Sequence, residues 1–184
     1  ASGMNCGTHA NSDKELLSAK IVLADGTRLN TGDPESRMTF ERKHTPFLNK
    51  IIEIRDEIRN DNELSDRIRK KYSIKNVTGL NLLPFVIYDD PFDIIAHLMV
   101  GSEGTLAFLS EVTMKTEHDY PYSASAMLYF SDIKDACRAV VAMKPGPIFS
   151  AELLDKKSLA SVNDTTGTGL TAVLTETKAD TPEE

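Results

Sequence analysis

Between Val100 and Lys115 the chain reads Val-Gly-Ser-Glu-Gly-Thr-Leu-Ala-Phe-Leu-Ser-Glu-Val-Thr-Met-Lys, so two glycines, two hydroxyls and a carboxylate run straight into a strand pattern. Glycine reaches backbone angles closed to other residues and lets main chain approach a ligand closely. Ser102 and Thr105 can turn hydroxyls and nearby amides toward polar groups. The stretch therefore predicts a tight turn feeding a sheet, with a surface that a polar cofactor could approach. Without context, a glycine turn before a strand is more often loop punctuation than a ligand site.

The rest of the chain supplies that context. Residues 1–13 are rich in Gly, Asn, Ser and Thr and read as loop. The apolar run Leu16 to Leu23, stopped by Asp25-Gly26, predicts a strand that pairs back through Thr27 to Thr31 as a hairpin. From Pro34 to Tyr72 the apolar spacing becomes three and four residues, through Phe40, Phe47, Leu48, Ile51, Ile52, Ile54 and Ile58. Two or three helices fit there, starting at Asp33-Pro34-Glu35, Thr45-Pro46 and Asp61-Asn62-Glu63. The apolar stripe from Phe47 to Ile58 reads as helix packing rather than a binding groove. Leu82 to Tyr88 is apolar but broken by Pro84, which favours a loop or an edge strand. Asp90-Pro91 opens a short helix to Met99, and Leu106 to Lys115 is a strand. Beyond the proline-bearing Thr116 to Pro121, strands at 123–130, 148–154 and 170–177 alternate with helices at 133–143 and 156–162. That is an α+β arrangement, with a domain boundary expected near Glu117 to Tyr122.

Composition removes several function classes. A net charge of −7 argues against nonspecific nucleic-acid binding. The basic run Arg67 to Lys71 lies within helical reach of Glu63 and Asp66 and reads as a solvated, self-compensated face. The apolar runs are short and broken by charges, with no basic-then-apolar leader. Two cysteines, Cys6 and Cys137, suggest no disulfide framework. Cys6-Gly7-Thr8-His9 has no second Cys/His pair with which to hold a metal. His44, His97 and His118 are scattered, with no catalytic partner evident in sequence. The start at Ala1 within a glycine-bearing motif and the end at Thr181-Pro182-Glu183-Glu184, which resembles a helix start, suggest a fragment of a longer protein.

Four segments together resemble a known family. Gly101 to Ala107 is similar to the GSEGTLG-type motif of FAD-linked oxidases of the vanillyl-alcohol-oxidase (PCMH-type) fold, in the branch of D-lactate dehydrogenases, glycolate oxidase subunits and D-2-hydroxyglutarate dehydrogenases. Ala1-Ser2-Gly3-Met4 resembles the end of that family's N-A-G/S-G segment, Ile21 to Thr27 its V-V-L-A-D-G-T strand and turn, and Lys75 to Leu80 its K-D/N-x-T-G-Y segment. Leu80 stands where the family has Tyr, and Ala107 where it often has Gly. Ser125 to Val141 and Ser150 to Asp155 resemble the opening of the family's substrate domain.

The resemblance implies residues 1–118 as the second half of a PCMH-type FAD-binding domain, with a helical insertion at about 34–72. Residues 119–184 would begin an α+β substrate domain. It implies FAD cradled by Ala1, Ser2, Gly3, Gly7 and Thr8, by main-chain groups of Val22, and by Asn76, Thr78 and Gly79. Gly101, Ser102, Glu103 and Gly104 would face the ribityl and pyrophosphate region, with Glu103 shaping the turn because a carboxylate repels phosphate. No catalytic residue falls inside the chain. The family's divalent metal and proton-abstracting base would come from elsewhere in a parent enzyme oxidising a D-2-hydroxy acid. Its electrons would go to a carrier protein or quinone, with an iron-sulfur domain as one route. A cytoplasmic location follows, or one peripheral to the inner membrane. The competing expectation is a noncatalytic α+β scaffold whose inserted helices bind a protein partner.

Overall fold

The computed structural model describes residues 11–74, 79–162 and 170–183. It divides into two compact units, Ala1–Glu117 and His118–Glu184. Both are mixtures of helices and antiparallel sheet, so the fold class is α+β.

The first unit is built on the hairpin. Strand β1 (Leu16–Val22) pairs antiparallel with β2 (Arg28–Asn30) and, on its other edge, with β3 (Phe108–Met114), giving the order β2-β1-β3. The Asp25-Gly26 turn closes the hairpin with Gly26 at φ 84° and the Asp25 carboxylate accepting from the Thr27 amide. That amide hydrogen bond is the main reason the Asp25 carboxyl sits below its usual range. Residues 12–13, expected as loop, belong to a single helical turn, α1 (Ser12–Glu15), just before β1.

Helix α2 (Pro34–Asn60) starts on an Asp33 cap with proline in its first turn, and α3 (Asn62–Lys71) starts on an Asp61 cap. The backbone leaves helical angles at His44, directly before Thr45-Pro46, where proline removes an amide and crowds the preceding turn. The helix start expected at Thr45-Pro46 is thus a kink inside one long helix. Phe40, Leu48 and Ile58 bury inward, with Ile51 and Ile54 packed on the same cluster.

Residues 83–87 correct an expectation. They form a short helix, α4 (Leu83–Ile87), rather than a loop or edge strand. Pro84 occupies the first turn, where no amide is needed, and the Asn81 side chain accepts from the Leu83 amide, so two local features favour a helix start. Helix α5 (Pro91–Leu98) follows on an Asp90 cap. Ile94, Ile95 and Ala96 pack under the sheet against Leu16, Ala19, Ile21 and Leu29.

Two arginines fasten the inserted helices to this layer. Arg37 pairs with Asp90 at 2.8 Å and Asp93 at 3.1 Å, and donates to the Thr31 carbonyl. Arg59 donates to the carbonyls of Phe85 and Tyr88 and pairs with Asp89. Leu48, Ile51, Ile54 and Ile58 of the α2 stripe are packed within the unit, in line with the packing expectation, while Phe47 remains exposed.

The second unit runs β4 (Tyr122–Phe130), α6 (Ile133–Met143), β5 (Ser150–Leu154), α7 (Lys156–Ser161) and β6 (Thr171–Ala179). Strand β6 lies between the other two, antiparallel to both. Asp132 and Asp155 cap the two helices through the amides of Lys134 and Ser158. Among the described residues, no helix is long and apolar enough to cross a membrane.

Candidate functional site

Helix α5 delivers the chain into the glycine turn by a chain of local hydrogen bonds. The His97 ring, 5% exposed, bonds through Nδ1 to the Asp93 carbonyl at 2.7 Å and stacks on Tyr88 with centroids 4.2 Å apart. Burial, and then the nearby Asp13 and Asp93 carboxylates, push the Tyr88 phenol above its usual range. The Val100 amide donates to the His97 carbonyl, and the Ser102 amide to the Met99 carbonyl.

From there the backbone turns sharply. Gly101, Glu103 and Gly104 all have positive φ, at 81°, 52° and 76°. A carboxylate-bearing residue in that region is uncommon and costs on the order of 1 kcal/mol. Ser102 differs from the reading of an outward hydroxyl: it is buried and donates to the Met99 carbonyl at 2.9 Å. Thr105 likewise donates, to the Ser102 carbonyl at 2.6 Å. The turn holds its hydroxyl hydrogens inward, and what it presents outward is backbone. The amides of Gly101, Glu103 and Gly104 find no partner among the described residues. The adjacent amides of Glu103 and Gly104, with that of Gly101 on the other side of the Ser102 bond to Met99, could together receive an anionic or polar oxygen.

The turn does not stand alone. A Cβ placed on Gly101 would lie 3.3 Å from the carbonyl oxygen of Gly79, so two segments more than twenty residues apart meet backbone to backbone. A Cβ on Gly104 would meet nothing within 4 Å, which leaves its outer face open to a ligand. Val22 stands opposite Phe108, the first residue of β3, at the end of the sheet that the turn feeds. It lines a separate cleft of about 480 Å³ with Lys20, Arg28, Asn30, Asp33 and Ser36, and neither Gly79 nor the 101–104 turn takes part in it. Ala1, Ser2, Gly3, Gly7, Thr8, Asn76 and Thr78 lie outside the described residues. So does the Cys6 to His9 segment.

Sequence reasoning missed Tyr72, whose hydroxyl donates to the Leu80 carbonyl at 2.9 Å and so ties the end of α3 to the segment carrying Gly79. Nothing in the spacing announced it. The basic run lies on an exposed face, as the solvated reading expected, and none of Arg67, Arg69, Lys70 and Lys71 forms a close ion pair among the described residues. In the second unit, His118 Nε2 lies 2.6 Å from Asp180, a partner 62 residues away that sequence could not supply. Among the described residues no three His, Cys, Asp or Glu side chains gather as metal ligands.

No family model matches the chain. Over 79 residues, 42% of its length, it is 32% identical to the mitochondrial D-lactate dehydrogenase [cytochrome] of Arabidopsis thaliana. The similarity is to an oxidoreductase. The matched segment spans 14% of that relative's length.

Proposed function

We propose that the chain is the second half of the FAD-binding domain and the beginning of the substrate domain of an FAD-dependent D-2-hydroxyacid dehydrogenase, with a D-lactate-like substrate. One observation carries the reading: the Gly101 to Gly104 turn leaves three amides open at the point where it meets Gly79. The donor set fits FAD. Amides without side chains above them suit a pyrophosphate or ribityl oxygen, and the open face over Gly104 leaves room for it. The partial identity to a D-lactate dehydrogenase supports the same direction.

In this reading the residues present bind and orient. Gly101, Glu103 and Gly104 donate backbone hydrogen bonds, Ser102 and Thr105 lock the turn from beneath, and Gly79 closes its rear. Val22 holds the neighbouring sheet end in register. FAD, when bound, supplies the hydride acceptor for oxidation of the hydroxy acid to the 2-oxo acid. The base and the metal belong to other parts of the parent enzyme, and the electrons pass on to a carrier protein or quinone. The scaffold alternative has less to offer a partner, since Leu48, Ile51, Ile54 and Ile58 of α2 are packed within the first unit.

The visible spectrum of the full-length protein, recorded anaerobically before and after D-lactate, tests the reading. A yellow protein that bleaches supports it. Gly104→Val, which forces a β-branched residue to positive φ and covers the open face, should lower flavin occupancy at least about tenfold, a loss of about 1.4 kcal/mol. A colourless protein that FAD does not reconstitute, or full occupancy in both Gly101→Val and Gly104→Val, would refute it.

A further inference from the structure

The end of α3 carries more positive charge than the helix requires. A helix C-terminus presents roughly half a negative charge. Arg69, Lys70 and Lys71 fill the last turn, with Arg67 one turn before Lys71 on the same flank. All four are exposed, and none is ion-paired among the described residues. Like charges at neighbouring helical positions repel. The cluster is a small loss for the helix in a protein whose net charge is −7.

Its position is fixed relative to the glycine junction. The Lys71 ammonium lies 5.4 Å from the centre of the Tyr72 ring. The Tyr72 hydroxyl bonds the Leu80 carbonyl, and the neighbouring Gly79 carbonyl meets Gly101. One ring and one hydrogen bond therefore link the ammonium to the segment that carries Gly79, and fields at exposed sites reach about one Debye length, ~10 Å at 0.1 M salt. From the charge, its lack of partners and this tether, we infer that Arg67, Lys70 and Lys71 hold the Gly79–Gly101 junction at positive potential and strengthen binding of an anion there. That anion is either the flavin pyrophosphate or the carboxylate of the acid substrate. The inference deepens the FAD-enzyme reading and rests on it. Glu103, the carboxylate in the turn, opposes the field and makes a compensating cation useful.

The test uses the full-length flavoprotein carrying R67Q/K70Q/K71Q, its charge-keeping counterpart R67K/K70R/K71R, and R69Q as a control on the opposite flank of α3. Two quantities are read at 10 mM and 0.5 M ionic strength: the Kd for FAD by titration of apoprotein, and kcat/KM for D-lactate. Removing three charges about 10 Å from the anion should weaken a monoanion about fivefold and a dianion about twentyfold at low salt, with little effect at high salt. A change in FAD Kd identifies the pyrophosphate, and a change in KM at constant kcat and full flavin loading identifies the substrate. Either result supports the inference if R67K/K70R/K71R restores wild-type values and R69Q has the smaller effect. Unchanged values with an intact salt dependence would overturn it while leaving the enzyme reading standing. A wild-type protein that neither holds flavin nor turns over a hydroxy acid would overturn both.

Discussion

In the first unit β1 and β2 are covered by the helices inserted between β2 and β3, whereas the second unit buries chiefly β6 and leaves β4, like β3 of the first unit, near the surface. Strand β1 buries Leu16, Ala19 and Ile21 against Ile94 and Ile95 of α5 and Phe40 and Leu48 of α2, all in one cluster. Among the described residues of the second unit, the buried apolar side chains are Ala136, Leu159, Ala172 and Val173. Its long β4 is exposed at seven of nine positions. The difference teaches where each unit's order comes from. The first relies on side-chain packing against an inserted helical layer, and the second relies more on the nine-residue pairing of β4 with β6.

Truncating one fully buried side chain in each unit would break or sharpen that contrast most directly. Ile94→Ala should cost about 4 kcal/mol, because the surrounding helices and sheet cannot collapse into the space. Val173→Ala, in a thinner core free to relax, should cost about 2 kcal/mol. Amide hydrogen exchange resolved by unit would check both, since two units need not unfold as one. Equal losses would mean that the second unit is packed as tightly as the first.

The clamp on the helical layer is the next test. Arg59→Met keeps much of the apolar stem but removes donors from two backbone carbonyls and from Asp89. A loss of about 1–2 kcal/mol is expected, with faster exchange in α4 and the start of α5. Unchanged exchange there would show that apolar packing alone holds the insertion.

These contrasts mark what could be read in the sequence. Local chemistry was largely legible: Asp25-Gly26 marked the hairpin, Asp33-Pro34 and Asp61-Asn62 marked helix starts, and the strand-helix alternation after 121 matched the observed order, whereas Thr45-Pro46, read as a helix start, is a kink because the helix continues through it. Pro84 misled because the same ring that breaks a strand also begins a helix, and only the Asn81 side chain on the Leu83 amide decides between them. At the site, the glycines marked the turn. Its outward chemistry depends on which amides stay unpaired after Ser102 and Thr105 have turned inward, and on Gly79 arriving from another segment. Both are tertiary facts, as are the Tyr72 tether and the unpaired lysines beside it.

The smallest expected effect separates two ways of stabilising an exposed carboxylate, one in each unit. Asp89 sits below its ordinary value of 3.8 chiefly through its hydrogen bond and charge attraction to Arg59. Asp155 is lowered chiefly by the Ser158 amide it caps. In both cases the folded-state value lies below the unfolded one. Each contribution is therefore present above the ordinary carboxylate range and is lost as pH falls through the folded value. Salt distinguishes them, because it screens a guanidinium field at an exposed site but leaves a short amide hydrogen bond largely intact. Side-chain carboxyl titrations by NMR in 0.05 M and 1 M salt should move Asp89 back toward 3.8 and leave Asp155 nearly unchanged. If the two shift together, the Asp155 cap also depends on long-range charge, and Lys157, which already lowers its value slightly, would be the group to neutralise next.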